Sequence, residues 1–224
     1  MGRSKSFEPN KKLFRAMELF WYKGYENTSM SDLKKHLGLS TQSIYDTFGG
    51  KENLYLQTLE LFYGNSVEGL KLTLRSKEDA SLPEIKLHFL LAYRMQIGDK
   101  TKASCYIANT SLELGLLNKE AQIQSIKFFS MLKDAFKFAL SNAIAKNEIP
   151  DDRDPEQLAW YLTNSISGLG VLNRAGADVG NILNIINTTL TTLDPQHSNF
   201  DKKTIKKAEE TERLINNMMK EIFE

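Results

Sequence analysis

The sequence predicts an all-α protein with an amino-terminal helix-turn-helix domain and a larger helical domain behind it. Apolar residues recur at helical spacing, the segments that carry them begin with capping residues, and alternating strand patterns are nearly absent. The chain has 224 residues, which is enough to bury a large core as one big domain or two smaller ones. Its 41% of hydrophobic residues are ordinary for a globular protein and argue against a disordered chain.

The first 50 residues carry the pattern of three short helices. Apolar residues from Leu13 to Trp21 form one face of a first helix that ends at Gly24. Ser29 and Asp32 fit a capping box at the start of a second helix, and Ser40 can cap a third helix over 41–47. Between these two helices, Gly38-Leu39-Ser40 supplies the turn of a helix-turn-helix. We expect a shared core of Leu19, Phe20, Leu33, Leu37, Leu39, Ile44 and Phe48.

Longer helices are predicted for the rest of the chain. A fourth helix over 52–66 connects the two domains. The start at 155 is the best marked, since Asp154 can cap it and Pro155 occupies its first position. The sequence therefore divides into a first unit over 1–52, a larger unit over 53–195, and an appended amphipathic helix in 196–224. The predicted helices of the larger unit are 82–97, 103–115, 119–146, 155–175 and 178–193.

The net charge of +1 hides an uneven distribution. Residues 1–51 contain nine Lys and Arg against five Asp and Glu, a local charge of +4, and the remainder carries −3. A basic amino-terminal quarter on a slightly acidic body favours a polyanionic partner for the first unit alone. The alternative is a basic surface that only faces solvent.

Small polar side chains lie on the outer side of the third predicted helix. In a helix-turn-helix the start of this helix enters the major groove, where Gln can bond adenine and Thr can contact a thymine methyl group. Lysines and helix starts are suited to phosphates. The alternative is a compact three-helix corner with no DNA role. The predicted DNA-contacting residues are Lys11, Lys12, Ser29, Thr41, Gln42, Ser43, Tyr45, Thr47 and Lys51.

The stretch from Leu13 to Phe62 resembles the amino-terminal DNA-binding domain of the TetR family of transcriptional regulators. The resemblance rests on residues that keep the order and spacing of the family without a gap: Phe20, Gly24-Tyr25, Thr28-Ser29, Asp32-Leu33, Gly38-Leu39-Ser40, Ile44-Tyr45, Phe48 and Lys51-Glu52-Asn53-Leu54. It implies an all-helical homodimer that binds a pseudo-palindromic operator on double-stranded DNA. It also implies that 53–195 binds a small effector, which usually releases the DNA, and that repression is the default role.

The same resemblance assigns roles within the helix-turn-helix. The recognition helix corresponds to 41–47, and Lys51 matches a lysine that commonly contacts a phosphate. The sequence departs from the family at Thr47, where many members carry an aromatic residue or His, and at Gly49-Gly50, where Pro is frequent at position 49.

The effector site is predicted within the helices of the larger unit, because ligand pockets are mostly apolar with a few polar groups. The alternative for each aromatic candidate is ordinary core packing. The segment from Ala103 to Leu114 is similar to one found in a TetR subgroup whose cysteine senses electrophiles or oxidants in some members. An electrophile-sensing or redox-sensing Cys105, aided by Lys100 and Lys102, is therefore an alternative to inert packing of this residue. The predicted effector-binding residues are Phe62, Phe89, Cys105, Tyr106, Asn109, Phe128, Trp160 and Asn164.

Analogy with the family places the dimer interface on the helices 155–175 and 178–193. Glycines inside the first of these helices cost helix propensity, about 1 kcal/mol each relative to Ala, which indicates a packing reason. The predicted interface residues are Ser165, Gly168, Leu172, Ile182 and Ile186.

Other classes of protein find little support in the sequence. His36, His88 and His197 are scattered, no metal-ligand spacing is present, and a Cys105–His88 nucleophile pair has nothing else in its favour. We therefore predict no enzyme, no metal and no cofactor. A helical adaptor that keeps the helix-turn-helix as a scaffold is the remaining alternative. The lack of a secretion signal or a long apolar segment leads us to expect a cytoplasmic protein without a membrane partner.

Overall fold

The computed structural model describes residues 7–98 and 105–223, and these residues form ten helices and no strand. The predicted all-α fold is confirmed. None of the helices in these ranges is long and apolar enough to cross a membrane. The helices are α1 (Pro9–Lys23), α2 (Met30–Leu37), α3 (Thr41–Phe48), α4 (Lys51–Lys71), α5 (Leu82–Gly98), α6 (Tyr106–Leu114), α7 (Lys119–Ala145), α8 (Pro155–Arg174), α9 (Val179–Thr191) and α10 (Lys202–Phe223).

Helices α1 to α3 pack as the capping and apolar patterns predict. Ser29 and Asp32 form a complete capping box at the start of α2, and the Ser40 hydroxyl accepts the Ser43 N–H at the start of α3. The buried hydrophobic residues of this unit are Ala16, Met17, Phe20, Leu33, Leu37, Ile44 and Phe48, whereas Leu19 and Leu39 are partly buried against them.

Helix α4 connects the three-helix unit to the rest of the molecule. It is longer than the predicted 52–66, because it continues to Lys71, and it packs against α1, α3 and α7. Its buried residues Leu54, Tyr55 and Leu59 join the core of the first unit to the core of the larger one. The two predicted units therefore share one continuous hydrophobic core.

The larger unit is built around α7. This helix contacts α4, α5, α6 and α8, and α9 packs against α5 and α8. The start of α8 forms as its sequence predicts, since the Asp154 carboxylate accepts N–H groups of Glu156 and Gln157 and Pro155 stands in the first turn.

Helix α10 lies along α5 and also reaches α1. Its fully buried Ala208 packs with Leu87, Leu90 and Leu91 of α5 in a small separate core. Two ion pairs border this contact: Arg94 Nε lies 2.7 Å from Glu212 Oε2, and Lys207 Nζ lies 3.1 Å from Glu84 Oε1. The appended helix thus packs mainly on α5.

Candidate nucleic-acid interface

Helix α3 is anchored by two apolar side chains and turns its polar positions outward. Ile44 and Phe48 are buried, and together they hold the helix against the core. Thr41 and Gln42 are exposed, Ser43 and Thr47 are half-buried, and Tyr45 is 54% exposed. The predicted reading positions therefore stand together at the surface of one short helix.

The Gln42 side chain is held along the helix. Its amide Nε2 donates to Asp46 Oδ1 at 2.7 Å, one turn further on. Beside it, the hydroxyls of Ser40 and Ser43 are 2.9 Å apart. A base edge that bonds Gln42 bidentately would replace the bond to Asp46, and both partners are exposed and able to accept that exchange.

The turn after α3 fits a bulky aromatic ring. Gly50 adopts φ of +99°, which favours glycine, and it precedes the first turn of α4. A Cβ atom added to Gly50 would lie only 2.8 Å from Cε1 of Tyr45. Gly50 therefore lets the Tyr45 ring lie against the turn.

The predicted phosphate-binding lysines differ in their surroundings. The Lys51 ammonium lies 4.2 Å from the centroid of the Tyr25 ring, a cation–π arrangement that fixes its position at the start of α4. Lys12 Nζ donates to the Leu37 carbonyl at 2.6 Å, at the end of α2. Lys12 thus joins α1 to α2. Lys11 is half-buried on α1.

Ser29 is occupied by the capping box. Its N–H donates to Asp32 Oδ2 at 2.9 Å, and its hydroxyl accepts the Asp32 N–H at 3.1 Å. Hydrogen bonds from Ser29, together with Lys23 at 3.0 Å, hold the pKa of the Asp32 carboxyl well below its usual value. Asp32 therefore stays ionised and keeps the start of α2 capped.

Exposed cations on α1 and α2 were absent from the predicted set. Arg15, Lys34 and Lys35 are exposed next to the predicted lysines. The charge excess of the first 51 residues indicated such cations as a group. Sequence spacing alone did not separate those at the surface from those used in packing.

The predicted effector residues fall into separate places. Phe62, Tyr106 and Phe128 form one aromatic cluster, with ring centroids 5.5 Å apart for Phe62–Tyr106 and 5.6 Å for Phe62–Phe128. Phe89 packs instead on Phe136, at 5.9 Å, between α5 and α7. The structure therefore brings together only three of the predicted aromatic residues.

The polar candidates lie outside this cluster. Asn109 lines an open groove of about 370 Å³ between α6 and α8. Trp160 is 47% exposed on α8, and Asn164 is exposed one turn further along the same helix. The structure does not place these three residues beside the aromatic cluster, so nothing here supports one effector site that contains them all.

Cys105 lies at the amino-terminal cap of α6 and is half-buried. Burial raises the pKa of its thiol, although backbone N–H groups of Ala108 and Ile107 act in the opposite direction. A raised pKa disfavours the thiolate, which is the form that attacks electrophiles and oxidants. Lys100 and Lys102, the cations that the sensing hypothesis invoked, lie outside the described residues. Within the described residues, the backbone N–H groups at the start of α6 favour the thiolate and burial opposes it.

Helix α6 forms hydrogen bonds with the amino-terminal half of the chain at each of its turns. The hydroxyls of Tyr106 and Thr58 are 2.7 Å apart, and those of Thr110 and Tyr55 are 2.8 Å apart. One turn further, Glu113 Oε2 accepts the N–H of Tyr25 at 2.7 Å.

The Glu113 side chain contacts the loop between α1 and α2. Its carboxylate also accepts the N–H of Glu26 at 3.3 Å. Gly24, at φ of +85°, leaves the space that the carboxylate fills, since a Cβ atom there would collide with it. No local pattern predicts this contact, because the partners are 88 residues apart in sequence.

The predicted interface residues divide by burial. Ser165 and Gly168 lie half-buried on α8, and nothing lies within 4 Å of a Cβ atom built on Gly168. Leu172 is 38% exposed. On α9, Ile182 and Ile186 are fully buried within the protomer, because their stripe of the helix faces α5 and α8.

The exposed apolar residues of α9 are the neighbours of those two isoleucines. Val179 is 42% exposed and Ile185 is 37% exposed. A partner can therefore contact α9 through Val179 and Ile185, and the predicted Ile182 and Ile186 are better explained as core residues.

Comparison with known proteins agrees with this architecture. Residues 13–58 match the family described as "Bacterial regulatory proteins, tetR family". The uncharacterized HTH-type transcriptional regulator YezE of Bacillus subtilis (strain 168) is 31% identical over 198 residues, which cover 87% of this chain and 100% of YezE. The HTH-type transcriptional repressor ComR of Escherichia coli (strain K12) is 27% identical over 189 residues, covering 84% of this chain and 90% of ComR.

Solved structures share the fold. The TetR family transcriptional regulator CifR, as a cysteine mutant complexed with 26-base-pair operator DNA, matches with a TM-score of 0.70 and 22% identity, over 84% of this chain and 98% of that chain. The helix-turn-helix and the helical body together define a DNA-binding transcriptional regulator. The chain belongs to the TetR family.

Proposed function

We propose that this regulator is a dimeric repressor, which binds a pseudo-palindromic operator through α3 and leaves it when a small effector binds the larger unit. The observation that carries the proposal is the surface of α3, where the side chains at its amino-terminal end face outward and Ile44 and Phe48 anchor its other side. The name of ComR, a repressor, and the complex of CifR with operator DNA support the same role.

The proposal assigns a part to each unit of the chain. Residues 1–52 bind DNA, 53–195 bind the effector and the second protomer, and 196–224 supply the appended helix. Two copies of α3 enter successive major grooves about 34–36 Å apart on the operator. The protomers meet through α8 and α9, with Ser165, Gly168 and Leu172 on the shared face.

The effector site is proposed at the cluster of Phe62, Tyr106 and Phe128. Burial raises the pKa of the Tyr106 phenol, so its hydroxyl stays neutral, and an effector that bonds it would replace the contact with the Thr58 hydroxyl at 2.7 Å. An effector shifts the dimer only through a difference in its affinity for the DNA-binding and released forms. Helix α6 carries Tyr106 of this cluster at its start and Glu113 at its end, so an effector that displaces α6 also disturbs the contact of Glu113 with the α1–α2 loop.

A salt series of DNA binding tests the proposal. The purified protein is titrated with the non-coding DNA that flanks its gene and, in parallel, with a scrambled duplex. We expect selective binding to the flanking DNA that weakens steeply with salt, because Lys and Arg displace counterions from phosphates. Equal binding to both duplexes would contradict operator recognition.

Absence of binding to either duplex needs one further step. A co-purified effector would hold the protein in the released form. Unfolding, refolding and a repeated titration remove such a ligand. If the refolded protein still binds neither duplex, the repressor proposal is wrong.

A further inference from the structure

An apolar surface stands at the corner between α6 and α7. We call it the α6–α7 corner and define it by five aliphatic residues and their exposed fractions: Leu112 (78%), Leu116 (96%), Leu117 (79%), Ile123 (48%) and Ile126 (63%). Exposed apolar residues grouped on one segment mark an interaction site more often than single exposed apolar residues do. The exposed lysines at 119 and 127 border it in sequence, as charged residues border an interface core.

The corner is held in shape by its backbone. The N–H groups of Leu117 and Asn118 both donate to the Leu114 carbonyl, and the Asn118 side chain caps α7. Asn118 Nδ2 also donates to Glu52 Oε1 at 2.6 Å, at the start of α4. The leucines are thus presented outward by an ordered turn, which lowers the entropic cost of covering them.

The corner is continuous with the exposed face of α8. Leu112 and Val171 line the same groove between α6 and α8, together with Ala175. Further along, Lys133 of α7 lies 5.8 Å from the ring centroid of Trp160 on α8. Trp160, Val171 and Leu172 are exposed on it.

We infer that a second copy of this chain covers the α6–α7 corner, so that the dimer interface extends beyond α8 and α9. The inference rests on the proposed function, which places a protomer on the exposed face of α8. A two-fold axis presents the same surface on both copies, and the corner adjoins that surface where Leu112 and Val171 line one groove. The partner then contacts the element that carries Glu113 and Asn118, the two residues that bind the DNA-binding unit. The arrangement between protomers is therefore coupled to the α1–α2 loop and to the start of α4.

Sedimentation of a double variant tests this inference. Leu116→Asp with Leu117→Asp places two charges on residues that have almost no packing within the protomer. We expect the dimer dissociation constant to rise about tenfold or more, because charges at an interface core lose solvent without gaining a partner. The matched control is Leu214→Asp on α10, where a 53% exposed leucine lies outside the corner, and it should leave the dissociation constant within about twofold of the native value.

A second measurement does not depend on a variant. Hydrogen exchange of the native protein is compared above and below its dimer dissociation constant, and amides of 112–118 should be more protected above it. A native dimer in which neither the double variant nor protein concentration has an effect would overturn the inference and leave the proposed function intact. A native protein that stays monomeric on its operator would overturn both the inference and the dimeric repressor.

Discussion

Gln42 and Lys51 would serve different parts of DNA recognition. Gln42 is exposed at the start of α3 and its amide is exchangeable between Asp46 and a base edge. Lys51 is a cation that its contact with the Tyr25 ring holds at the start of α4. A side chain that bonds a base edge contributes specificity, whereas a cation near a phosphate contributes affinity on every sequence.

Gln42→Ala should weaken operator binding by about 1–3 kcal/mol and relax the preference at one base pair. The measurement is a titration against a set of operators that differ at single positions. Lys51→Ala is the contrasting variant, and it should weaken binding to all of them about equally and reduce the salt slope by about one. An unchanged profile across the operators for Gln42→Ala would remove this residue from base reading.

Protonation of His88 should lower the free energy of unfolding in mild acid. Burial lowers the pKa of its imidazole to about 4, and its Nδ1 lies 3.1 Å from the Thr73 hydroxyl. The unfolded chain, with a pKa of 6.5, binds a proton more tightly than the folded one. The contribution of neutral His88 is therefore complete above pH 6.5 and is lost progressively as the pH falls from 6.5 towards 4.

Urea unfolding at pH 7.5 and pH 5.0 measures this effect. For the native protein we expect the free energy of unfolding to fall by about 2 kcal/mol from His88 alone. His197, whose pKa is also lowered mainly by burial, adds to the fall. His88→Gln cannot take up the proton, so its pH dependence should be smaller by the His88 contribution. A variant as sensitive to pH as the native protein would show that His88 is not the group responsible.

At the scale of helices, local signals and distant contacts differ in how well the sequence reveals them. The starts of α2, α3 and α8 were predictable, because each depends on a cap and its bonding partners within three residues. The bonds from Glu113 to the α1–α2 loop and from Asn118 to Glu52 join residues more than 60 positions apart, and no spacing rule indicates them. The same limit applies to the predicted effector residues, whose aromatic members could be recognised as apolar but not assigned to a common cluster.

Glu113→Ala should loosen the contact between α6 and the DNA-binding unit. The carboxylate is the acceptor for two backbone N–H groups, and a partly buried donor without its acceptor costs about 1–3 kcal/mol. We expect the amide of Tyr25 to exchange about tenfold faster or more. The control is Glu60→Ala, which removes an exposed carboxylate from α4. Equal exchange of the Tyr25 amide in both variants would show that Glu113 does not hold the loop.

At the scale of the whole molecule, α4, α6 and α10 connect the DNA-binding unit to the rest, together with Asn118 before α7 and Arg174 of α8. Helix α4 carries the shared core, α6 supplies the polar contacts, and α10 reaches from α5 to α1. The amphipathic pattern of 201–224 predicted a helix, but it did not predict which surface that helix covers. An apolar stripe specifies that a helix is buried on one side, whereas its partner depends on which exposed stripe of the folded body is complementary.

The buried side of α10 provides the last prediction. Ala208→Asp places a carboxylate among Leu87, Leu90 and Leu91, where burial without a partner strongly disfavours the charge. We expect α10 to leave α5, with faster hydrogen exchange over 204–216 and a lower melting temperature. Lys206→Asp is the matched control, because it introduces the same residue on the outer side of α10 and breaks only a long ion pair with Glu210, at 3.9 Å.

The operator affinity of Ala208→Asp tests whether α10 also matters for DNA binding. If α10 supports α1 as well as α5, Ala208→Asp should also weaken operator binding, since α1 positions the helix-turn-helix. Exchange within α3 itself should stay unchanged, because Ile44 and Phe48 are anchored independently of α10. A variant whose α10 is detached but whose operator affinity equals that of Lys206→Asp would restrict α10 to stabilising α5.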